Sequence, residues 1–286
     1  MRFVDKERAF RVLLFLCAIV TVAFVGVIII YLFVAGIPAI KEIGLRDFLF
    51  GTEWRPESQT PQFGILPFIL TSVYGTVGAI LLGVPLGVLC AVFIAKIAPR
   101  SIRSMLKTTV ELLAGIPSVV FGLIGMTVLV PFVQRVFNLP SGANLFSSII
   151  VLSVMILPSV VNVSENALRS VPKEYELGSL ALGANRVETA LRVSMPAAKS
   201  GIAASIVLGV GRSIGETMAV MMVSGNVANM PSLFKSVRYL TTAVSGEMSY
   251  SSGLHRKALF SIALVLLLFL LIINLSFKLL IRQDKK

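Results

Sequence analysis

The sequence predicts an all-α protein that crosses a membrane about six times. Three observations carry this. The 286 residues are 56% hydrophobic and only 14% charged, where soluble domains are about a quarter charged. Mean hydropathy is +0.90. Long uncharged runs recur along the chain, and the loops between them alternate between strongly basic and nearly balanced. The net charge of +12 would suggest nucleic acid in a soluble protein. Here basic residues retained on cytoplasmic loops account for it, and no aromatic–basic nucleic-acid motif is present. The two cysteines, Cys17 and Cys90, both fall in apolar runs and read as packing residues without a disulfide.

Residues 1–11 carry Arg2, Lys6, Arg8 and Arg11 and read as a cytoplasmic N-terminus. A first span follows at 12–35. It is longer than a signal-peptide core, with no small-residue cleavage site. Residues 36–64 hold Pro38, Pro56 and Pro61 with balanced charge, as expected of an outer loop. The second span covers 65–95. It contains Pro85, and Gly83 with Gly87 forms a small-xxx-small pair suited to close helix packing. The stretch KIAPRSIRSMLK then has four basic residues and no acid, a cytoplasmic signal.

Span three is expected at 112–133, where Pro117 and neighbouring glycines invite a bend or a break. Span four is expected at 145–163, with Pro158 inside it. Residues 170–197 are too polar for lipid. Pro172 suits a helix start, Gly183 a helix stop, and a second short helix runs from 186 to 195 and ends at Pro196. Span five is expected at 201–223 as one helix. Residues 224–257 return the chain outside, where His255, the only histidine, reads as a surface residue. Span six covers 258–281, and Arg282, Lys285 and Lys286 form a basic cytoplasmic end (282–286). Both termini are thus expected in the cytoplasm.

Span five carries the sharpest chemical signal, GVGRSIGETMAV. Arg212 and Glu216 are four residues apart, so a continuous helix puts them on one face. A charge at the bilayer centre costs about 2.5–3.5 kcal/mol even on the lenient insertion scale. Such residues usually mark a substrate path. A self-neutralising ion pair, or an arginine snorkelling to the surface, are the competing readings. An arginine fork suits an oxyanion. Monohydrogen phosphate has a hydroxyl that can donate to Glu216, and sulfate has none, so the pair is expected to favour phosphate.

Resemblances then narrow the reading. The stretch VPKEYELGSLALGANRVETALRVSMPAA resembles the cytoplasmic EAA loop of importer-type ABC permeases: Gly183 and Pro196 match its glycine and proline. The loop's glutamate position falls on Leu177, followed by Gly178 and Ser179 where the family has alanines. Glu174 and Glu176 are the acids nearby. LAGIPSVVFGLIG, GRSIGETMAV and the Trp54–Ile69 opening are similar to phosphate-specific ABC permeases of the PstC type. That resemblance implies a type-1 (MetI-like) permease fold over 68–278, preceded by one extra span. It also implies a heterodimer with a PstA-type permease, two PstB-type ATP-binding subunits, and a periplasmic or extracellular PstS-type phosphate-binding protein. The implied place is the cytoplasmic (inner) membrane. No cofactor is implied on this chain: it has no G-x-x-x-x-G-K-[ST] phosphate loop, so ATP belongs to a partner.

Other functional classes make different demands on these residues. A secondary anion transporter or channel without an ATPase would also suit broken helices and a midplane charge pair. An intramembrane protease would need a base beside Ser213, and no intramembrane histidine exists. A pure assembly scaffold would be indifferent to loss of Arg212. No cluster of histidines and cysteines suggests a metal.

Overall fold

The computed structural model describes residues 2–283. Lys285 and Lys286 lie outside the described residues, as do the side chains of Arg2, Lys6, Arg8 and Arg282. The first span is one helix, α1 (Arg2–Ile43), and it runs well past the expected end at residue 35. Pro38 sits inside it rather than in a loop. A neighbouring helix ties down this stretch: Ser261 Oγ donates to the Gly36 carbonyl at 2.6 Å. The most apolar window of α1 is not buried by the rest of the chain, so lipid or another subunit covers it. Cys17 is exposed on this helix, contrary to the packing role expected of it.

The expected outer loop is folded. It holds α2 (Leu45–Phe50) and two short antiparallel strands, β1 (Trp54–Arg55) and β2 (Gln62–Phe63), with Trp54 opposite Phe63. Trp54 meets Phe63 and Phe68 edge-on, with ring centroids 5.7 and 5.5 Å apart. This aromatic core closes one end of the molecule.

The second span is α3 (Leu66–Val92), which passes through Pro85 unbroken and continues as a π-helical turn, Phe93–Ile97. The basic stretch after it forms a helix, α4 (Arg100–Gly115), which the sequence reading missed. The chain breaks at Ile116–Pro117 because a residue before proline avoids the helical region; Ile116 is extended at ψ 126°. Span three therefore begins only after the break. It is built from α5 (Ser118–Ile124), a π-helical segment Gly125–Leu129, and α6 (Val130–Val136).

Span four is α7 (Leu145–Arg169), capped by the Asn144 side chain, which accepts from Ser147 N at 3.0 Å. It is continuous through Pro158 and extends beyond residue 163. The packing of α3 on α7 forms the centre of the bundle. A Cβ at Gly83 would stand 2.7 Å from Ile156 Cδ1, and one at Gly87 would stand 2.8 Å from Val160 Cγ1. Only hydrogen fits there, which lets the backbones approach.

The polar stretch folds as a hairpin at the other end of the bundle. Its arms are α8 (Lys173–Ala181), and α9 (Arg186–Thr189) running through a π-helical turn, Ala190–Ser194, into α10 (Met195–Ala197). The second arm thus passes through Pro196, which stands in the first turn of α10 where no N–H is needed. It meets α11 (Lys199–Gly215) at 74°.

Span five is not one helix. It consists of α11 and α12 (Met218–Val223), interrupted at Glu216–Thr217. Alone, α11 reaches about 25 Å, short of a roughly 30 Å hydrocarbon core. A two-turn helix, α13 (Leu240–Glu247), lies beside the aromatic end, and α14 (Gly253–Gln283) is the last span. Among the described residues five helical runs are long and apolar enough to cross a membrane, and the bent pair formed by the second hairpin arm and α11 brings the number to six.

Candidate functional site

The interruption in span five positions the candidate site. Glu216 is extended (ψ 131°), so the helical face expected to carry both Arg212 and Glu216 does not exist. No ion pair joins the two among the described residues. The Glu216 carboxylate instead accepts the Ala219 N–H at 3.1 Å, capping the start of α12. Its carbonyl, freed by the break, accepts from Thr241 Oγ1 on α13 at 2.9 Å. The break is thus stabilised from two directions, as non-helical backbone inside a membrane must be.

Arg212 points to α7 and donates from Nη1 to Ser159 Oγ at 3.1 Å. Ser159 lies about 15 Å along α7 from its Arg169 end, so Arg212 is held partway along the bundle. The neighbouring Ser213 is 3% exposed, and its hydroxyl has no hydrogen-bond partner among the described residues. Arg212 and Ser159 thus present a half-buried cation beside a hydroxyl, a pair that can receive an oxyanion. Sequence reasoning missed Ser159, because a serine beside a proline in an apolar run gives no pattern.

The hairpin shows a different chemistry. Gly183 has φ +90°, and the N–H groups of Gly183 and Ala184 bond back to the carbonyls of Leu180 and Ser179 at 3.0 and 3.2 Å, ending α8. Asn185 and Glu188 form a reciprocal cap at the start of α9. The arms are joined by Ser179 Oγ and Thr189 Oγ1, 3.0 Å apart. Glu174, Leu177 and Gly178 face outward with Tyr175, and Leu182 is 92% exposed. Pro196 is exposed at the base. Glu176 turns inward to Lys96 and to Ser194 Oγ, the latter at 3.1 Å.

Two further charged clusters were not foreseen. Glu165, 2% exposed on α7, pairs with Arg169 at 2.6 Å and Lys107 at 3.8 Å. At the aromatic end, Glu247 is buried and pairs with Arg238. It also accepts from Trp54 Nε1 at 2.9 Å and meets His255 Nε2 at 2.8 Å. His255 is therefore a buried partner and not a surface residue. Burial pushes the Tyr239 phenol up, and partial burial followed by the Glu247 carboxylate does the same to Tyr250.

Residues 83–283 match the family described as binding-protein-dependent transport system inner membrane component. The chain belongs to this family. Its relatives include the ABC transporter permease protein YqgH of Bacillus subtilis, 39% identical over 96% of this chain and 91% of that protein. The phosphate transport system permease protein PstC of Mesorhizobium japonicum is 30% identical over 100% of this chain and 93% of its own length. The fold is that of solved ABC permeases. A bacterial alginate ABC transporter superposes with TM-score 0.64 at 17% identity, covering 99% of this chain and 96% of the other. The methionine transporter MetNI gives 0.57 at 18% identity, over 77% and 94%. The chain is accordingly an ABC transporter permease of the binding-protein-dependent family, a transport subunit rather than an enzyme.

Proposed function

We propose that this permease conducts inorganic phosphate into the cytoplasm. The observation that carries the reading is Arg212 inside the bundle, fixed by Ser159 beside a break in span five. A planar guanidinium with donors to spare fits an oxyanion, and relatives named PstC are phosphate transport permeases. The unit that forms the path is the segment 68–278. Its partners are a PstA-type permease, two PstB-type ATPase subunits and a PstS-type binding protein. The exposed apolar face of α8, with Tyr175, Leu177 and Leu182, suits burial in a groove of the ATPase subunit. Glu174 lies on this outward side. The chain sits in the cytoplasmic membrane with the hairpin end inside.

The test is ATP-driven uptake of labelled phosphate by the reconstituted complex. Arg212→Ala should lower uptake roughly 10- to 100-fold, since a charge-assisted hydrogen bond is worth about 1.5–3 kcal/mol, with the complex still assembled. Glu216→Gln should weaken discrimination against sulfate. Unchanged phosphate uptake in Arg212→Ala would end the assignment of the path to span five. Wild-type uptake driven by an ion gradient without ATP would favour a secondary transporter.

A further inference from the structure

Glu176 is held at a junction of three segments. Its Oε1 contacts Lys96 Nζ, which belongs to the π-helical turn Phe93–Ile97 ending the second span. The same oxygen accepts from Ser194 Oγ, which belongs to the π-helical turn Ala190–Ser194 in the second arm of the hairpin. Two of the π-helical segments in the described residues therefore converge on one carboxylate. Such turns are rare and recur at functional sites. Lys96 is 12% exposed and Ser194 fully buried, so the junction is largely shielded from water. Around it, Ala91, Val92, Ile94 and Ala190 form a shared apolar core.

We infer that Glu176 and Lys96 are positioning residues that clamp the hairpin to the second span, so that movement of the hairpin is passed to that span. Glu176 thus serves inside the chain, while the docking face is the outward side of α8. The π-helical turns on either side let the clamp move without breaking the helices that carry it. The inference rests on the proposal that the hairpin meets an ATPase subunit; it does not depend on the substrate.

The experiment is electron paramagnetic resonance on the assembled complex. A spin label is placed at Leu89→Cys, an exposed position of α3, with Cys17 and Cys90 replaced by serine. ATP should change the label's spectrum in the parent. Lys96→Met and Glu176→Gln should each reduce the phosphate imported per ATP hydrolysed by about five- to tenfold, the low end of typical coupling, and abolish the spectral change. The exchanged pair K96E with E176K should restore both. A full ATP-driven spectral change in Lys96→Met, or no recovery in the exchanged pair, would refute the clamp. Co-purification of the ATPase subunit separates the two ideas. If the single variants lose that subunit, the pair serves docking and the clamp is wrong. If the spectrum behaves as expected while the parent imports no phosphate, the phosphate reading fails and the clamp stands.

Discussion

Glu247 receives Trp54, His255 and Arg238 in a largely buried site. An unpaired buried charge is costly, and removing the carboxylate would leave Arg238 without its counter-charge. Glu247→Ala is therefore expected to destabilise the purified chain by about 3–5 kcal/mol, read as denaturant unfolding in detergent. Trp54 is the only tryptophan, so its emission reports on the cluster directly. A variant within about 0.5 kcal/mol of the parent, with unchanged emission, would show the cluster to be ornamental. At this scale the sequence was legible where one residue type has one geometric use. Gly183 at a helix stop is such a case, because positive φ is cheap only for glycine. It was illegible for His255, whose partners lie on α13 and on a hairpin far away in sequence.

Helix α3, packed on α7, differs from α8 in what its glycines do. A methyl at Gly83 collides with Ile156 and with the Ser153 carbonyl, 2.9 Å away. Gly83→Ala should cost about 1–3 kcal/mol through overpacking. Gly178 on α8 has nothing within 4 Å of a built Cβ. There Gly178→Ala should stabilise the isolated chain by up to about 1 kcal/mol, because alanine is the better helix former. Unfolding curves of the two variants should move in opposite directions; a shift in the same direction would refute one of the assignments. The prolines were easy to see and hard to weigh. Pro117 breaks the chain, while Pro85 and Pro158 sit in continuous helices. The interruption at Glu216 contains no proline at all. It is held by Thr241, a residue of α13, and so could not be read from span five alone.

For the whole molecule, the hairpin end and the aromatic end are expected on opposite sides of the membrane. With Cys17 and Cys90 replaced by serine, a cysteine at Gln59 should react with an impermeant thiol reagent on intact cells. A cysteine at Ala184 should react only after the membrane is opened. The reverse pattern would invert the topology. A large part of the apolar surface, the whole middle of α1 included, is left uncovered by the chain itself. That surface is open to lipid and to the second permease subunit proposed above.

By itself the sequence determined the helical membrane class, the approximate spans and the polar hairpin between spans four and five. These follow from hydropathy, which acts over about 20 consecutive residues, and from proline and glycine, whose backbone limits are local. The tertiary structure alone decided the break at Glu216, the Ser159 support for Arg212 and the inward turn of Glu176. Each depends on a hydrogen bond or ion pair supplied by a segment distant in sequence. In a bundle that excludes water, that partner settles whether a charge or an unwound backbone group can be held there at all.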